Sequence, residues 1–265
     1  MEKVQILKNK SNSFRIGNVE VGKDFLIIAG PCSIENRVMA EDTIKSIIDC
    51  GANIFRGGSY KPRTSPYSFQ GLKEKALEIL NILRKEYSVP VVTEILDPRL
   101  IESAMDYVDI IQIGSRSMHN FPLLKEAGMS KMPVILKRGF QATIDEWIHS
   151  TEYIFKEGNS KIILCERGIR TFETYTRNTL DISAVPIMKK LTGLPVIVDP
   201  THATGRKDLI TDMCKASIAV GADGLMLEVH PKPVEALSDP EQQLDTSEFH
   251  SLMKELKPII EFFKK

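Results

Sequence analysis

Short apolar runs recur along the chain and alternate with longer stretches whose apolar residues repeat at helical spacing. Each run holds five to seven residues and shows little alternation with polar positions, a pattern typical of parallel strands that are buried on both faces. Successive runs start about 20 to 37 residues apart, which is the length of a strand followed by a loop and a helix. The eight predicted strands are residues 24–30, 52–57, 89–95, 109–114, 133–137, 161–166, 195–199 and 222–228.

Helix start signals follow several of the predicted strands. Asp97-Pro98 supplies an N-cap residue and a proline for the first turn, and Thr143 with Glu146 forms a capping box ahead of a helix predicted to reach about residue 157. Near the end of the chain an apolar stripe repeats at helical spacing, and such stripes usually pack on a protein core rather than on a membrane. Its members are Phe249, Leu252, Met253, Leu256, Ile259, Ile260 and Phe263.

The segment before the first strand carries a different pattern. Residues 14–22 alternate apolar and polar positions around Gly17-Asn18, which predicts a β-hairpin. Eight strand–helix units in 265 residues suit an α/β fold, a (β/α)8 or TIM barrel, which typically needs about 250 residues. We therefore expect residues 1–23 to form an extension whose hairpin closes the bottom of the barrel. Residues 24–265 are expected to form the barrel, with no second domain.

Composition limits the classes of partner. The chain has 35 basic and 35 acidic residues and a formal net charge of zero, so its overall charge favours neither nucleic acid nor an anionic membrane. No apolar stretch approaches the roughly 18 residues of a spanning helix, and the first residues lack the apolar core of a signal peptide. The four cysteines form no CxxC pair, which is typical of reduced thiols. We expect a cytoplasmic protein that binds no nucleic acid and no membrane.

Basic side chains cluster where predicted strands end. The loop after the second strand, residues 56–64, holds three cations and two glycines. The glycines let the backbone approach a ligand, and arginine matches phosphate or carboxylate groups with two parallel hydrogen bonds. In a barrel all strand ends meet on one face, so we expect one pocket for a ligand with at least two anionic groups. The strand-end cations are Arg56, Lys61, Arg63, Arg116, Lys137 and Arg167.

A second set of strand-end residues combines a thiol, an imidazole and two carboxylates. Cys32 follows the first predicted strand, and His202 follows the seventh. Glu228 ends the eighth strand, and Asp239 lies in the segment after it. Thiolate, imidazole and carboxylate ligands together suit a divalent transition metal such as Zn²⁺, Mn²⁺, Fe²⁺ or Co²⁺ better than Mg²⁺ or Ca²⁺. A lone cysteine or histidine is more often a core or surface residue than a ligand, so the metal site rests on convergence at one barrel face.

Seven motifs each fall where a predicted strand ends. They are Gly-Pro-Cys-Ser-Ile-Glu at 30–35, Lys-Pro-Arg-Thr-Ser at 61–65, Ile-Gly-Ser-Arg-Ser-Met-His-Asn at 113–120, Leu-Lys-Arg-Gly at 136–139, Cys-Glu-Arg-Gly at 165–168, Asp-Pro-Thr-His at 199–202 and Glu-Val-His-Pro at 228–231. Together they resemble the short, β-type 3-deoxy-7-phosphoheptulonate synthases over residues 27–244. The resemblance implies a metal-dependent transferase that condenses phosphoenolpyruvate with erythrose 4-phosphate and water, the first step of the shikimate pathway. It also suggests a homo-oligomer, either a tetramer or a dimer.

The resemblance implies that one group of site residues binds the two substrates. Two arginines would hold the phosphate of phosphoenolpyruvate, a further arginine and a lysine would pair with its carboxylate, and an arginine–threonine pair would hold the phosphate of erythrose 4-phosphate. In that order the residues are Arg116 and Arg167, Arg56 and Lys137, and Arg63 and Thr64, with Ser115 next to Arg116.

A second group is implied to carry the chemistry. Lys61, between the two substrates, would donate a proton to the new alkoxide, and neighbouring cations are expected to lower its pKa. Glu94 and Asp199 would act on the attacking water or would orient Lys61 and the histidine ligand. The metal, held by the four ligands predicted above, would polarise the aldehyde as a Lewis acid.

Two other interpretations remain open. The 3-deoxy-octulosonate 8-phosphate synthases use arabinose 5-phosphate on the same barrel, but they have an Ala-Asn-Arg-Ser-Ser type of sequence where this chain has Pro-Arg-Thr at 62–64. A non-catalytic barrel that only binds phosphoenolpyruvate is disfavoured because Lys61 and all four proposed ligands are present.

The chain departs from the family pattern at two places. Serine at 115 and 117 and histidine at 119 stand where alanine, asparagine and glutamine are expected, but Arg116 is retained. Pro240 stands where the family usually has a glycine, which is expected to stiffen the backbone next to Asp239 and makes that residue the weakest of the predicted ligands. His230 lies near the site, but Pro231 beside it favours a turn role at least as much as catalysis.

Overall fold

The structure, a computed structural model, describes residues 4–6, 13–62 and 65–263. Ten strands lie in this part of the chain, and the last eight pair in parallel as a closed ring in sequence order. Residues 224–228 pair one to one with residues 26–30 and so close the ring. The predicted (β/α)8 barrel is confirmed. The strands are β1 (Phe14–Ile16), β2 (Val19–Val21), β3 (Leu26–Gly30), β4 (Ile54–Arg56), β5 (Val91–Glu94), β6 (Ile110–Ile113), β7 (Val134–Lys137), β8 (Ile162–Glu166), β9 (Val196–Val198) and β10 (Gly224–Glu228).

Helices lie between the barrel strands and cover the outside of the barrel. The predicted capping box is present, because the Thr143 hydroxyl accepts the N–H of Glu146 at 3.2 Å and the Glu146 carboxylate accepts the N–H of Thr143 at 2.8 Å. Asp97 caps the short 3₁₀ turn Pro98–Leu100 that leads into α3. The helices are α1 (Arg37–Asp49), α2 (Glu74–Tyr87), α3 (Ile101–Met105), α4 (Phe121–Met129), α5 (Ile144–Lys156), α6 (Ala184–Thr192), α7 (Pro200–Thr204), α8 (Ile210–Ala219) and α9 (Thr246–Phe263).

Each barrel strand contributes to two apolar layers, which explains why the strands read as continuous apolar runs. In β3, for example, Leu26 and Ile28 face the barrel interior, whereas Ile27 and Ala29 pack in the layer between the barrel and the helices. The side-chain period of two along a strand produces this division. All four residues are buried.

The predicted N-terminal hairpin is present as the antiparallel pair β1–β2. Three of its side chains, Ile16, Val19 and Val21, are at most 3% exposed and belong to the same apolar cluster as the inward-facing residues of the barrel strands. The hairpin therefore packs on the interior side chains of the barrel.

The apolar stripe near the end of the chain lies on α9, which packs against α1 and α8. Its first four members are buried, Ile259 and Ile260 are half-buried, and Phe263 is 51% exposed. In the described ranges no helix is long and apolar enough to cross a membrane. The four cysteines are free thiols, as expected.

Candidate active site

A cleft of about 320 Å³ opens at the carboxyl ends of the barrel strands. Most predicted site residues line it. Three others are buried next to the cleft and contact residues that line it: Cys32, Asp199 and Glu228. Arg63 and Thr64 fall outside the described residues. The predicted residues that line the cleft are Arg56, Lys61, Glu94, Ser115, Arg116, Lys137, Arg167, His202 and Asp239.

Three of the four predicted metal ligands form one cluster. Ligand atoms of Cys32, Glu228 and Asp239 all lie within 4.8 Å of one another. The sulfur of Cys32 lies 3.0 Å from Oδ2 of Asp239. Burial raises the pKa of the Cys32 thiol to about 12, and the negative charge of Glu228 adds to the shift. Such a thiol keeps its proton at neutral pH unless a metal cation binds the sulfur.

His202, the fourth predicted ligand, is not among the residues whose ligand atoms all lie within 4.8 Å of one another. Its ring nevertheless contacts two buried carboxylates. Nδ1 lies 2.7 Å from Oδ2 of Asp199, and Nε2 lies 3.2 Å from Oε1 of Glu228. Asp199 is the N-cap of α7 and accepts the backbone N–H of His202 at 2.9 Å, which fixes this arrangement. When the Nδ1 proton is donated to Asp199, the Nε2 lone pair faces a carboxylate oxygen. Two acceptors in contact need a cation between them or a second proton on the ring.

The donor chemistry therefore fits a divalent transition metal. Oε1 of Glu228 is buried and makes no hydrogen bond to any described residue. Burial opposes the charges of Asp199 and Glu228, but His202 and the nearby cations outweigh it and hold the pKa of both carboxyl groups well below their usual range. Both residues thus remain carboxylates, which are the form that binds a metal.

The loop that carries Asp239 places this residue in an unusual backbone conformation. Its φ is 49°, in the left-handed region, although Pro240 follows it. A non-glycine residue held there costs about 1–3 kcal/mol, and such strain persists where the surrounding structure fixes the chain. The strained loop directs the Asp239 carboxylate toward the sulfur of Cys32, with which it is in contact.

Lys61 contacts the same cluster. Its Nζ donates to the carbonyl of Cys32 at 3.1 Å and lies 3.0 Å from the Cys32 sulfur. Burial disfavours the charge of Lys61, but the acidic groups Cys32, Glu228 and Glu94 outweigh burial and raise its pKa above the ordinary value. The expectation that neighbouring cations lower the pKa of Lys61 is therefore wrong, because its nearest neighbours are acidic.

Two arginines that line the cleft have no acidic partner among the described residues. Arg116 and Arg167 lie over the ring of Phe140, with their Cζ atoms 5.6 Å and 4.7 Å from its centroid. Arg167 donates to the carbonyl of His202 at 3.0 Å, and burial lowers its pKa to about 10. Neither guanidinium has a carboxylate at salt-bridge distance in the ranges that the structure describes. Cations without a protein counter-ion are suited to an anionic ligand group.

Two other predicted cations of the cleft are paired with buried protein carboxylates. Arg56 Nη2 lies 3.2 Å from Glu228 Oε1, and Lys137 Nζ lies 2.5 Å from Asp199 Oδ2. Such partners offset part of the cost of burying a cation. Arg56 keeps one nitrogen, Nη1, without a hydrogen-bond partner among the described residues, and this nitrogen can bind a further anionic oxygen.

Glu94 and Ser115 occupy adjoining positions in the cleft. Glu94 packs so closely on Gly114 that a Cβ at position 114 would lie 2.0 Å from Oε1 of the carboxylate. A side chain at position 114 would therefore displace the Glu94 carboxylate. The buried hydroxyl of Ser115 makes no hydrogen bond to any described residue, which leaves it available to a ligand.

Sequence reasoning missed two residues of the site, Arg177 and Gln242. Arg177 lines the cleft from the loop between β8 and α6, and its Nη1 donates to Oε1 of Gln242 at 2.8 Å. The Gln242 amide in turn donates to Oε2 of Glu228 at 2.5 Å. Neither residue directly follows a strand, so the only signal in the sequence was one more cation in a long loop.

Two residues from the family motifs have structural roles instead. Arg138 turns away from the cleft and pairs with Glu166 at 2.9 Å and Asp181 at 2.8 Å. His230 Nδ1 accepts the backbone N–H of Lys232 at 3.0 Å, which is the turn role that its neighbouring proline favours.

The chain is similar to known proteins over nearly its whole length. Residues 5–262 match the DAHP synthetase I family. The chain belongs to this family. It is 54% identical over 245 residues to the phospho-2-dehydro-3-deoxyheptonate aldolase of Thermotoga maritima, an alignment that covers 92% of this chain and 72% of the relative. It is 34% identical over 272 residues to the 2-dehydro-3-deoxyphosphooctonate aldolase of Francisella philomiragia, which covers 95% of this chain and 97% of the relative.

Solved structures of DAHP synthases share the fold. The crystal structure of the Thermotoga maritima DAHP synthase superimposes with a TM-score of 0.93 at 51% identity and covers 96% of this chain and 75% of that protein. A truncated form of the 3-deoxy-D-arabino-heptulosonate 7-phosphate synthase from the same organism gives a TM-score of 0.89 at 47% identity and covers 96% of this chain and 94% of that form. The likeness extends over nearly the whole barrel.

Proposed function

We propose that the chain is a 3-deoxy-7-phosphoheptulonate synthase that condenses phosphoenolpyruvate with erythrose 4-phosphate and water. The reaction releases phosphate and is the first step of the shikimate pathway to chorismate and the aromatic amino acids. The observation that carries the proposal is the division of one cleft into two halves. One half has arginines without a carboxylate at salt-bridge distance in the described part of the chain, and the other has a thiol and carboxylates that suit a metal. Lys61 contacts the second half and faces the cleft.

The basic half is suited to phosphoenolpyruvate. Arg116 and Arg167 bind its phosphate, and Ser115 adds a hydroxyl that no described residue uses. Arg56 and Lys137 bind its carboxylate while each stays paired with a buried protein carboxylate. Charge-assisted hydrogen bonds from arginine to such oxyanions contribute about 1.5–3 kcal/mol each.

The other half is suited to the aldehyde. Cys32, His202, Glu228 and Asp239 would hold the metal (Mn²⁺, Fe²⁺, Zn²⁺ or Co²⁺), which supplies Lewis-acid polarisation of the carbonyl when bound. C3 of the enol phosphate forms the new bond to the aldehyde carbon, and Lys61 donates the proton that the resulting alkoxide takes up. The raised pKa of Lys61 supports this role because the side chain carries its proton at neutral pH.

Two carboxylates take different parts in the remaining steps. Asp199 orients His202 and Lys137, since both side chains contact its Oδ2. Glu94 faces the cleft and is our choice to position the water that adds at C2 before phosphate leaves by cleavage of its C–O bond.

The choice of the four-carbon sugar rests on sequence. Identity is 54% to the heptonate aldolase and 34% to the octonate aldolase. The Lys-Pro-Arg-Thr sequence at 61–64 carries Arg63 and Thr64, which we propose bind the sugar phosphate. We also propose a homo-oligomer, a dimer or a tetramer, that works in the cytoplasm without nucleic acid or a membrane as partner.

The experiment that tests the function follows phosphoenolpyruvate consumption by metal-loaded protein with erythrose 4-phosphate or arabinose 5-phosphate, each with and without EDTA. We expect consumption with the four-carbon sugar that EDTA abolishes and added Mn²⁺ restores. Preference for arabinose 5-phosphate would move the chain to the octulosonate branch. Tight binding of phosphoenolpyruvate without turnover would indicate a binding protein, and activity that survives complete metal removal would exclude the metal role of Cys32.

A further inference from the structure

Gln242 forms a bridge between the cleft and the proposed metal ligands. Its side chain is 3% exposed, and both ends of its amide are used. Oε1 accepts from Arg177, and Nε2 donates to Glu228. Arginine can only donate and a carboxylate can only accept, so this amide has a single orientation that satisfies both partners. The bridge therefore fixes the rotation of the Gln242 side chain.

The bridge also determines which oxygen of Glu228 remains for a metal. Gln242 occupies Oε2, while Oε1 makes no hydrogen bond to a described residue and lies 3.2 Å from both Nε2 of His202 and Nη2 of Arg56. A carboxylate held this way offers one defined oxygen rather than two interchangeable ones. Groups that orient a metal ligand typically change metal affinity about 10- to 100-fold when they are lost.

The neighbouring glutamine serves a different purpose. Gln243 accepts the N–H of Cys32 at 2.9 Å and donates to the carbonyl of Ser238 at 2.8 Å, so it joins two backbone segments. Gln242 instead joins two side chains of the site. Its Arg177 partner is exposed in the loop between β8 and α6 and lines the cleft.

We propose that Gln242 is a positioning residue that presents Oε1 of Glu228 to the metal, and that Arg177 acts on metal binding through it. This inference rests on the proposed metal site. Loss of Arg177 would leave the amide oxygen without its donor and free the amide to rotate, which loosens the hold on Glu228. A direct charge effect of Arg177 has the opposite sign, because removing a cation near the site favours a bound cation.

The test measures Co²⁺ binding to EDTA-treated protein by the thiolate-to-cobalt absorption band. Four proteins form a double-mutant cycle: wild type, Gln242→Met, Arg177→Met and the double variant. We expect Q242M to raise the dissociation constant of Co²⁺ about 10- to 100-fold. R177M should raise it by a smaller factor when Gln242 is present and should not raise it in the Q242M background. The matched control is Glu241→Gln, an exposed neighbour that should leave Co²⁺ binding unchanged.

Three outcomes would overturn the inference. Q242M could bind Co²⁺ within about twofold of wild type, which would remove the positioning role. R177M could tighten Co²⁺ binding equally in both backgrounds, which would show that Arg177 acts directly through its charge and not through Gln242. Wild type could fail to bind Co²⁺ with the thiolate band, which would overturn the proposed metal site as well. Thermal unfolding of each metal-free variant shows whether a change in affinity reflects a loss of fold.

Discussion

At the amino ends of the barrel strands the interior is closed by apolar side chains, whereas at the carboxyl ends the same strands bury charged ones. The hairpin packs Ile16, Val19 and Val21 on the inward-facing residues of the barrel. At the opposite end Arg56, Lys137 and Glu228 are at most 5% exposed. One end removes apolar surface from water and stabilises the fold. The other buries charge, which is costly unless every charge is paired.

The pairing at the carboxyl end is incomplete in two complementary ways. Arg116 and Arg167 lack acidic partners among the described residues, while Glu228 Oε1, which also pairs with Arg56, lies 3.2 Å from His202 Nε2 without a hydrogen bond to a described residue. An anion would complete the first group, and a cation would complete the second. The amino end thus supports stability, and the carboxyl end is suited to ligands, a division common in such barrels. Substitutions at the two ends should therefore affect different measurements.

The largest effect is expected from Arg167→Met at the carboxyl end. Loss of two charge-assisted hydrogen bonds to the substrate phosphate, at about 1.5–3 kcal/mol each, lowers kcat/KM for phosphoenolpyruvate about 10²- to 10⁴-fold. The free energy of unfolding should not fall, because the substitution removes a buried cation that no described acid neutralises. Steady-state kinetics and thermal unfolding measure the two quantities.

The control for R167M is Arg206→Met. Arg206 is an exposed arginine of the same barrel face, paired with Asp208 at 2.6 Å. Exposed pairs contribute little, so kinetics and stability should both stay close to wild type. If R167M unfolds at a clearly lower temperature than wild type, Arg167 supports the fold, and the division between the two ends fails.

A smaller effect, on stability rather than on catalysis, is expected from Ile16→Ala in the hairpin. Ile16 is 3% exposed and packs in the cluster that fills the barrel interior. Removing three buried carbons leaves a cavity and costs about 2–5 kcal/mol of unfolding free energy, measured by denaturant titration. At a temperature where the variant is folded, kcat/KM should stay within about twofold of wild type.

Ile187→Ala on α6 is the matched control for I16A. Its side chain is 40% exposed, so the same truncation should cost less than about 1 kcal/mol. A large loss of kcat/KM in folded I16A would mean that the hairpin contributes to the geometry of the cleft, and the comparison would need revision.

The fold was accessible from the sequence because burial on both faces leaves a strong local signal. The run at 24–30, for example, contains β3 (Leu26–Gly30), and the capping box at Thr143 starts α5 as predicted. Residues such as Arg56 and Lys137 were found for a related reason: strand ends are positions that the barrel topology fixes.

What the sequence could not provide was the pairing of side chains across the cleft. Counting cations suggested a lowered pKa for Lys61, whereas its contact with Cys32 and the nearby carboxylates raises it. Gln242 and Arg177 lie in loops without periodicity, and their link to Glu228 exists only in three dimensions. Local patterns identify which residues reach the cleft, but partner choice depends on loop geometry.

The smallest effect is expected from a substitution of Phe140 at the carboxyl end. Phe140 lies beneath Arg116 and Arg167, and cation–π contacts contribute about 0.5–2 kcal/mol. Phe140→Leu keeps an apolar contact but removes the ring, so KM for phosphoenolpyruvate should rise about 3- to 30-fold with little change in stability. Phe172→Leu, at a side chain that is 97% exposed, should leave KM unchanged. An unaltered KM in F140L would mean that the backbone and the ligand, rather than the ring, orient these arginines.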